Sequence, residues 1–313
     1  MVETGDGKIA EASGSNAQVE SQSSAAAGVR EKRFRAAPKL SRSPIHGLWS
    51  LTNRDLRKWY TNPVQLIASM IQPVIWLALF GKALNFGAFI AGAGGSQAEQ
   101  NAVLMGFFGT TSYFSYLACG MLAFVILFTS AFSGLSVVFD RRFGFLNKAL
   151  STPVARGSII MSKVLQSVGR SIAQAAMVLI IAVVLGMDTS HFSILGIIAA
   201  FVILFLMSMG LSSLFVMFAL RSGDWQTQIA IINVINLPLL FASNALFPAK
   251  EMPAWLQGVV NINPVSYTND AVRSLLLGST AHYGLAVDFV YLTGFALVLC
   301  AIGVVLSWRF LSK

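Results

Sequence analysis

Few residues in this sequence have the type and spacing that catalysis or metal binding requires. The three histidines, His46, His191 and His282, are isolated, and no His-Glu-x-x-His, Cys-x-x-Cys or Asp-rich pattern occurs. Cys119 and Cys300 both fall inside apolar runs, which is typical of small core residues rather than of a disulfide or a metal pair. We therefore expect no catalytic residue and no metal site in this chain.

The sequence also lacks a phosphate-binding loop. Such a loop needs Gly-x-x-x-x-Gly-Lys followed by Ser or Thr, because its backbone amides, lysine and hydroxyl surround the phosphates. The two Gly-Lys pairs, at positions 7–8 and 81–82, are followed by Ile and Ala. If the activity of this chain is driven by ATP, another subunit must bind the nucleotide.

The composition is that of a membrane protein. Hydrophobic residues make up 55% of the 313 residues and charged residues only 11%, and the mean hydropathy is +0.68. A soluble domain has about 25% charged residues. These values argue against a soluble enzyme, a disordered protein and a fibrous protein, and they favour several membrane spans.

Six apolar runs are candidates for membrane-spanning helices of about 20 residues. They cover residues 64–84, 113–135, 158–186, 192–220, 229–247 and 285–308. The sequence therefore predicts an all-α membrane protein with six transmembrane helices. Residues 46–60 precede the first run and are amphipathic, so we expect a helix that lies in the membrane interface, with aromatic side chains at headgroup depth. Its interfacial residues include Arg54, Asp55, Arg57 and Trp59.

The distribution of basic residues predicts the orientation. An even number of spans puts both termini on one side, and that side receives 19 of the 22 Lys and Arg residues. By the positive-inside rule we expect both termini to be cytosolic, and we expect the protein to lie in the plasma membrane. Residues 1–44 are rich in Ser, Ala, Gly and charge, and we expect a disordered basic cytosolic tail that faces anionic lipid rather than nucleic acid.

The polar residues of the spans restrict the transport mechanism. If the third run is counted from its continuous apolar part, residues 171–186, only Lys82 and Asp288 are charged within the runs, and the other polar positions in or beside them are mostly amides. Carriers coupled to protons or sodium usually need an intramembrane ionisable group or broken helices. Secondary transport and an ATP-independent channel therefore stay as alternatives without positive support.

The largest cytosolic segment, residues 139–156, has the most specific pattern. A short helix fits residues 145–150, where Phe145, Leu146 and Leu150 form an apolar face among charges. Such a helix suits docking in a groove of a soluble partner, and equally suits resting on lipid headgroups. The residue types leave both interpretations open.

This segment resembles the cytosolic coupling element of ABC-2 type exporter permeases, especially the daunorubicin-resistance-like branch. The matching positions include Asp140, Arg141, Gly144, Phe145 and Leu146, and Thr-Pro-Val follows at 152–154. One departure is Arg142, where the pattern often has an acid. Further likeness comes from Arg-Asp-Leu at 54–56 with Asn-Pro at 62–63, and from Asn-Pro-Val-Ser-Tyr at 263–267.

The resemblance implies partners for the chain. These are a soluble ABC ATPase subunit that binds ATP and Mg, a second permease copy or homologue that forms a dimer, and membrane lipid. The contacts to the ATPase subunit would come from the coupling element, which comprises Asp140, Arg141, Arg142, Phe143, Gly144, Phe145, Leu146 and Leu150. The implied function is export of a hydrophobic or amphipathic molecule of the drug, lipid or polysaccharide class.

The resemblance also assigns an external hairpin and a pathway. Residues 248–284 are either an ordinary folded loop or a re-entrant hairpin that closes the outer end, and the hairpin residues are Trp255, Asn263, Pro264 and Tyr267. The seam between two permeases would be formed by the second and fifth spans. The pathway candidates there are Phe124, Phe128, Phe132, Asn233 and Asn236.

Overall fold

A computed structural model of the chain describes residues 44–83, 92, 96–146 and 156–311. The described residues form helices joined by turns and contain no β-strand. A π-helix, Leu77–Ala83, follows α2, and a short 3₁₀-helix, Ala249–Glu251, precedes α8. The α-helices are α1 (Pro44–Tyr60), α2 (Pro63–Trp76), α3 (Gln97–Phe108), α4 (Tyr113–Arg142), α5 (Arg156–Val184), α6 (Ile194–Arg221), α7 (Trp225–Phe241), α8 (Ala254–Val260), α9 (Pro264–Leu277) and α10 (Leu285–Leu311).

The chain is an all-α membrane protein. Within the described residues, five helices are long and apolar enough to cross a membrane, namely Pro63–Gly81, Ala98–Arg142, Gly157–Val184, Ile194–Arg221 and Leu285–Leu306. These coincide with five of the six predicted spans. The amphipathic helix predicted at residues 46–60 is also present, as α1. The predicted tail, residues 1–44, lies outside the described residues except for Pro44.

The remaining predicted span, residues 229–247, differs from the prediction. Its helix, α7, has 17 residues and ends at Phe241, so it is about 25 Å long at 1.5 Å per residue. Residues 242–247 form turns instead, and Ser243, Asn244 and Ala245 are buried there. The reason lies in tertiary contacts. Side chains of the segment after α7 donate hydrogen bonds to carbonyl oxygens at the end of this helix and in the turns that follow, as described below.

Helix α4 is the centre of the bundle. It has 21 buried residues and contacts α5, α6, α7, α9 and the π-helix. A Cβ atom at Gly120 would lie 2.3 Å from the carbonyl oxygen of Ala245, and one at Gly134 would lie 2.5 Å from that of Phe215. Both glycines therefore permit backbone approaches that a side chain would prevent, as small residues commonly do between membrane helices.

Serine hydroxyls join α4, α5 and α6 inside the bundle. Ser208 on α6 is 2.7 Å from Ser171 on α5 and 3.4 Å from Ser130 on α4. One turn further, Ser212 donates to Ser167 over 2.9 Å. These hydroxyls are hydrogen-bond partners of one another, so the three helices are joined by polar contacts as well as by packing.

Candidate functional site

The end of α4 is tied to the helices beside it. The carboxylate of Asp140 forms an ion pair with the ammonium group of Lys163 on α5. Arg141 donates to the carbonyl oxygens of Leu220 over 2.9 Å and Ser222 over 3.2 Å, at the C-terminal end of α6. These carbonyls have no partner within the helix, so a guanidinium group satisfies them well. Two of the predicted coupling residues therefore connect α4 to α5 and α6.

The chain then turns and presents an aromatic pair. Gly144 adopts a left-handed conformation with φ +71°, which ends α4. Phe143 is 78% exposed, and its ring stacks on that of the partly exposed Phe139 with centroids 6.2 Å apart. Arg142 beside them is exposed as well. Among the described residues of this segment, Phe139 and Phe143 are the exposed apolar side chains.

The residues predicted to form the docking face are placed differently. Phe145 lies under the guanidinium group of Arg54, 3.9 Å from the ring centroid, and Leu146 is buried against Leu51 and Ile159. Leu146 is therefore covered by α1 and is not accessible, and its role in coupling stays a prediction. Leu150, the third residue of that predicted face, lies outside the described residues.

Helix α1 contributes to an ion cluster, which consists of Arg54, Asp55, Asp140 and Lys163. The two oxygens of Asp55 are each 2.6 Å from a cation, Oδ1 from Nη2 of Arg54 and Oδ2 from Nζ of Lys163. Burial alone would raise the pKa of the Asp55 carboxyl, but Lys163 and Arg54 outweigh that effect and lower the pKa below its ordinary value. The cluster holds α1 on the ends of α4 and α5.

The two other predicted interfacial residues of α1 have different surroundings. Arg57 is exposed, as expected of an interfacial cation. Trp59 is buried, whereas Trp49 and Tyr60 are exposed. Helix α1 therefore presents Trp49 and Tyr60 outward and directs Trp59 into the protein.

Trp59 lines a cavity of about 190 Å³ between α1, α2, α4 and α5. Three of the predicted pathway residues, Phe124, Phe128 and Phe132, share its wall, and the rings of the first two are 4.4 Å apart. The polar part of the wall consists of Gln65, Ser69, Gln72, Thr129, Arg170 and Gln174. The cavity is therefore amphipathic, with aromatic rings on α1 and α4 and with amides and a guanidinium group on α2 and α5.

The two predicted pathway residues on α7 do not contribute to this cavity. Asn233 is exposed on the outside of α7. Asn236 is buried, and neither its oxygen nor its nitrogen has a hydrogen-bond partner within the described part of the chain. The structure thus separates the five predicted pathway residues into one group of three and two single positions.

The segment predicted as an external hairpin is packed into the bundle. Helix α9 contacts α4, α6 and α10, and eleven of its residues, including Pro264, are buried. Tyr267 donates to the carbonyl oxygen of Asn261 over 2.7 Å, while Trp255 on α8 is 74% exposed. This burial fits both a folded external loop and a re-entrant hairpin, and the hairpin stays a prediction.

Asn263 and Arg273 account for the early end of α7. Asn263 donates from Nδ2 to the carbonyl oxygens of Leu239 over 2.8 Å and Ala242 over 2.7 Å. Arg273 donates to those of Asn244 over 2.7 Å and Ala245 over 2.9 Å. Irregular backbone inside a membrane protein requires such buried partners. The turns after α7 are therefore built around two side chains of the hairpin.

Sequence reasoning missed two buried ionisable residues. It assigned no role to Arg273, whose guanidinium group lies 3.4 Å from the ring centroid of Tyr116 inside the protein. It noted Asp288 only as a residue near one end of a span, but the side chain is fully buried and both carboxylate oxygens lack a hydrogen-bond partner among the described residues. For Asp288 the available signal was a single charge in the otherwise apolar run 285–308.

Comparison with known proteins identifies the family. The family model described as ABC-2 type transporter matches residues 46–277. Two proteins named ycf38, both described as transport permeases, are similar: that of Cyanophora paradoxa is 34% identical over 232 residues, 74% of each chain, and that of Pyropia yezoensis is 33% identical over 247 residues, 78% of each chain. The daunorubicin resistance ABC transporter permease protein DrrB1 of Streptomyces coeruleorubidus is 23% identical over 221 residues, 71% of each chain. The chain therefore belongs to the ABC-2 type transporter family and is a multi-pass membrane protein.

Proposed function

We propose that this chain is the permease subunit of an ABC exporter that moves a hydrophobic or amphipathic molecule out of the cytoplasm. The observation that carries the proposal is the family match across residues 46–277, a range that contains the end of α4 and the cavity. The name of DrrB1 connects that relative with daunorubicin resistance, which favours an amphiphilic drug-like or lipid-like cargo over a bare sugar.

A separate ATPase subunit, which binds ATP and Mg, drives the transport in this proposal. It docks on the exposed pair Phe139 and Phe143, since Leu146 is covered by α1. A force on Phe143 reaches α5 through the Asp140–Lys163 ion pair and α6 through Arg141. Because the end of α4 is tied to both helices, the docked subunit moves three helices together.

Two copies of the permease, or this chain and a homologue, form the complete pathway in this proposal. The Phe124, Phe128 and Phe132 side chains provide an apolar wall on α4. Outward opening follows ATP binding by the two ATPase subunits, and hydrolysis resets the complex. Both termini lie in the cytosol of the producing cell.

The test is a tagged purification from native membranes in mild detergent. We expect a soluble P-loop subunit in a ratio of about one to one, with ATP hydrolysis in the complex. In vesicles, cargo movement should require ATP. A preparation without any bound ATPase that conducts ions in liposomes without nucleotide would contradict the proposal and support a channel, and ion-gradient-driven uptake would support a secondary transporter.

The docking surface is tested by Phe143→Asp. We expect this variant to lose co-purification of the ATPase subunit, since the substitution puts a charge into an apolar contact. Phe143→Leu keeps an apolar side chain and should retain the subunit. Trp255→Asp, at a position with similar exposure on α8, is the control for a general effect of an added charge. If the ATPase subunit co-purifies equally with Phe143→Asp, Phe143 is not part of the docking surface.

A further inference from the structure

The cavity between α1, α2, α4 and α5 contains a cation without a counterion of its own. The Nε atom of Arg170 is buried and has no hydrogen-bond partner among the residues that the structure describes. A buried charged donor that lacks a partner costs free energy. The guanidinium group thus requires an acceptor that the described part of the chain does not supply.

The charges near the cavity do not balance. Asp55 interacts electrostatically with Arg170, but its two oxygens already bind Arg54 and Lys163. Asp140 binds Lys163 as well. Among the described residues, these interactions join the cations Arg54, Lys58, Lys163 and Arg170 to the carboxylates Asp55 and Asp140. Four cations and two carboxylates leave an excess of positive charge, which an anionic ligand would neutralise.

The other residues of the cavity wall indicate which chemical groups that ligand has. Gln65, Gln72 and Gln174 contribute amide groups, and Gln174 accepts from Thr129 through Oε1, which leaves its Nε2 as a donor. Phe124 and Phe128 add an apolar surface. One part of the cavity wall therefore offers hydrogen-bond donors and a cation, and another part offers aromatic rings. This combination suits a ligand with an anionic head and an apolar chain.

The position of the cavity agrees with a lipid. Trp59 and Gln65 lie on either side of the junction where the amphipathic helix α1 ends and α2 begins. That junction is the level at which amphipathic helices and tryptophan meet lipid headgroups. A volume of about 190 Å³ is below that of a drug-sized pocket, so it suits a headgroup and the first part of a chain that continues outside, along Phe132.

We propose that this cavity binds an anionic phospholipid from the bilayer, with Arg170 as the partner of the headgroup phosphate. The glutamines donate hydrogen bonds to the same headgroup, and Phe124 and Phe128 contact the chain. The phenylalanines of this cavity also form the pathway wall in the proposed function, but binding of phospholipid to the isolated chain requires neither ATP nor an ATPase subunit.

The test is native mass spectrometry of the full chain in detergent, with phosphatidylglycerol and phosphatidylcholine of identical chains at equal concentration. We expect the wild-type protein to retain phosphatidylglycerol preferentially. Arg170→Gln should lower that preference by about tenfold, the order expected for one charge-assisted hydrogen bond. Arg170→Lys, which keeps the charge, should retain part of the preference. Arg221→Gln, at an exposed position at the end of α6, is the matched control and should leave it unchanged.

A second variant tests the cavity without touching the charge. Ala68 lines the cavity from α2, and Ala68→Phe should exclude the lipid although Arg170 is intact. This variant decides the question if Arg170→Gln does not yield a monodisperse protein. An unchanged preference in folded Arg170→Gln or in Ala68→Phe would overturn the proposal. Competition by glycerol 3-phosphate at the concentration of the lipid would also overturn it, because the ligand would then be a soluble anion.

Discussion

Lys163 joins three helices through two carboxylates. It lies on α5, pairs with Asp55 of α1 and Asp140 of α4, and is itself buried. A buried ion pair adds little net free energy compared with an apolar substitute, but removal of one partner leaves uncompensated charge. Substitution of Lys163 alone is therefore expected to lower the free energy of unfolding.

The first prediction concerns this lysine. Lys163→Ala removes the cation that pairs with both Asp55 and Asp140. We expect it to lower the free energy of unfolding by about 3–5 kcal/mol. Lys58→Ala is the matched control, because the Lys58 side chain is 70% exposed and 3.9 Å from Asp55, and we expect a change below about 1 kcal/mol. Thermal unfolding in detergent measures both, and equal effects would contradict the assigned role.

The second prediction is a pH dependence. The folded pKa of Asp55 is lowered, so its contribution to stability is complete above the ordinary value of 3.8 and is lost as the pH falls through the lowered value. We expect the melting temperature to fall on acidification from about pH 5 to about pH 2. Asp55→Asn should be less stable at neutral pH and should show a smaller fall, and a parallel decline in both proteins would exclude Asp55 as the cause.

Among the helices, α4 depends on close backbone approach. Its two glycines face carbonyl oxygens of other segments at distances that leave no room for a methyl group. A residue with a Cβ would force these segments apart and would also cost the hydrogen bonds that Arg273 makes at Ala245. At these two positions α4 packs against backbone atoms, which cannot move aside as a flexible side chain could.

The third prediction compares two glycines within spanning helices. Gly120→Ala puts a methyl group 2.3 Å from a carbonyl oxygen, and we expect a loss of more than about 1 kcal/mol together with a lower yield of folded protein. Gly294→Ala in α10, where nothing lies within 4 Å, should be neutral or slightly stabilising, because alanine favours the helix. The reverse order of melting temperatures would contradict the packing around α4.

For the whole molecule, the orientation in the membrane decides which residues face the cytosol and which face outward. If both termini are cytosolic, Arg221 at the end of α6 faces the cytosol, and Lys250 before α8 faces outward. Both residues are exposed, and the two native cysteines are buried, so single cysteine substitutions report on topology with little background.

The fourth prediction follows from that orientation. In intact cells, a membrane-impermeant maleimide should label Lys250→Cys and should not label Arg221→Cys until the membrane is opened. The wild-type protein, with Cys119 and Cys300 inside the bundle, measures the background. Labelling of Arg221→Cys in intact cells would reverse the predicted orientation and would place the ion cluster outside.

The elements were largely predictable and the contacts were not. Hydropathy and length locate the spanning helices, because a bilayer demands long apolar runs. The sequence cannot show that α1 folds over Leu146, or that Arg273 holds the carbonyls after α7, because these contacts join residues far apart in the chain. For the same reason Phe143 rather than Leu146 is exposed, and Asn233 and Asn236 lie away from the three phenylalanines of the cavity.

The Asp55–Lys163 pair also has a consequence for biosynthesis. The two residues are 108 positions apart, so a ribosome that adds about 5–20 residues per second needs roughly 5–20 s to supply the lysine after the aspartate. During that interval α1 has no anchor on α5, although α2, α3 and α4 are already being synthesised. Attachment of α1 to the bundle is therefore a late step of cotranslational assembly, and it cannot precede the synthesis of α5.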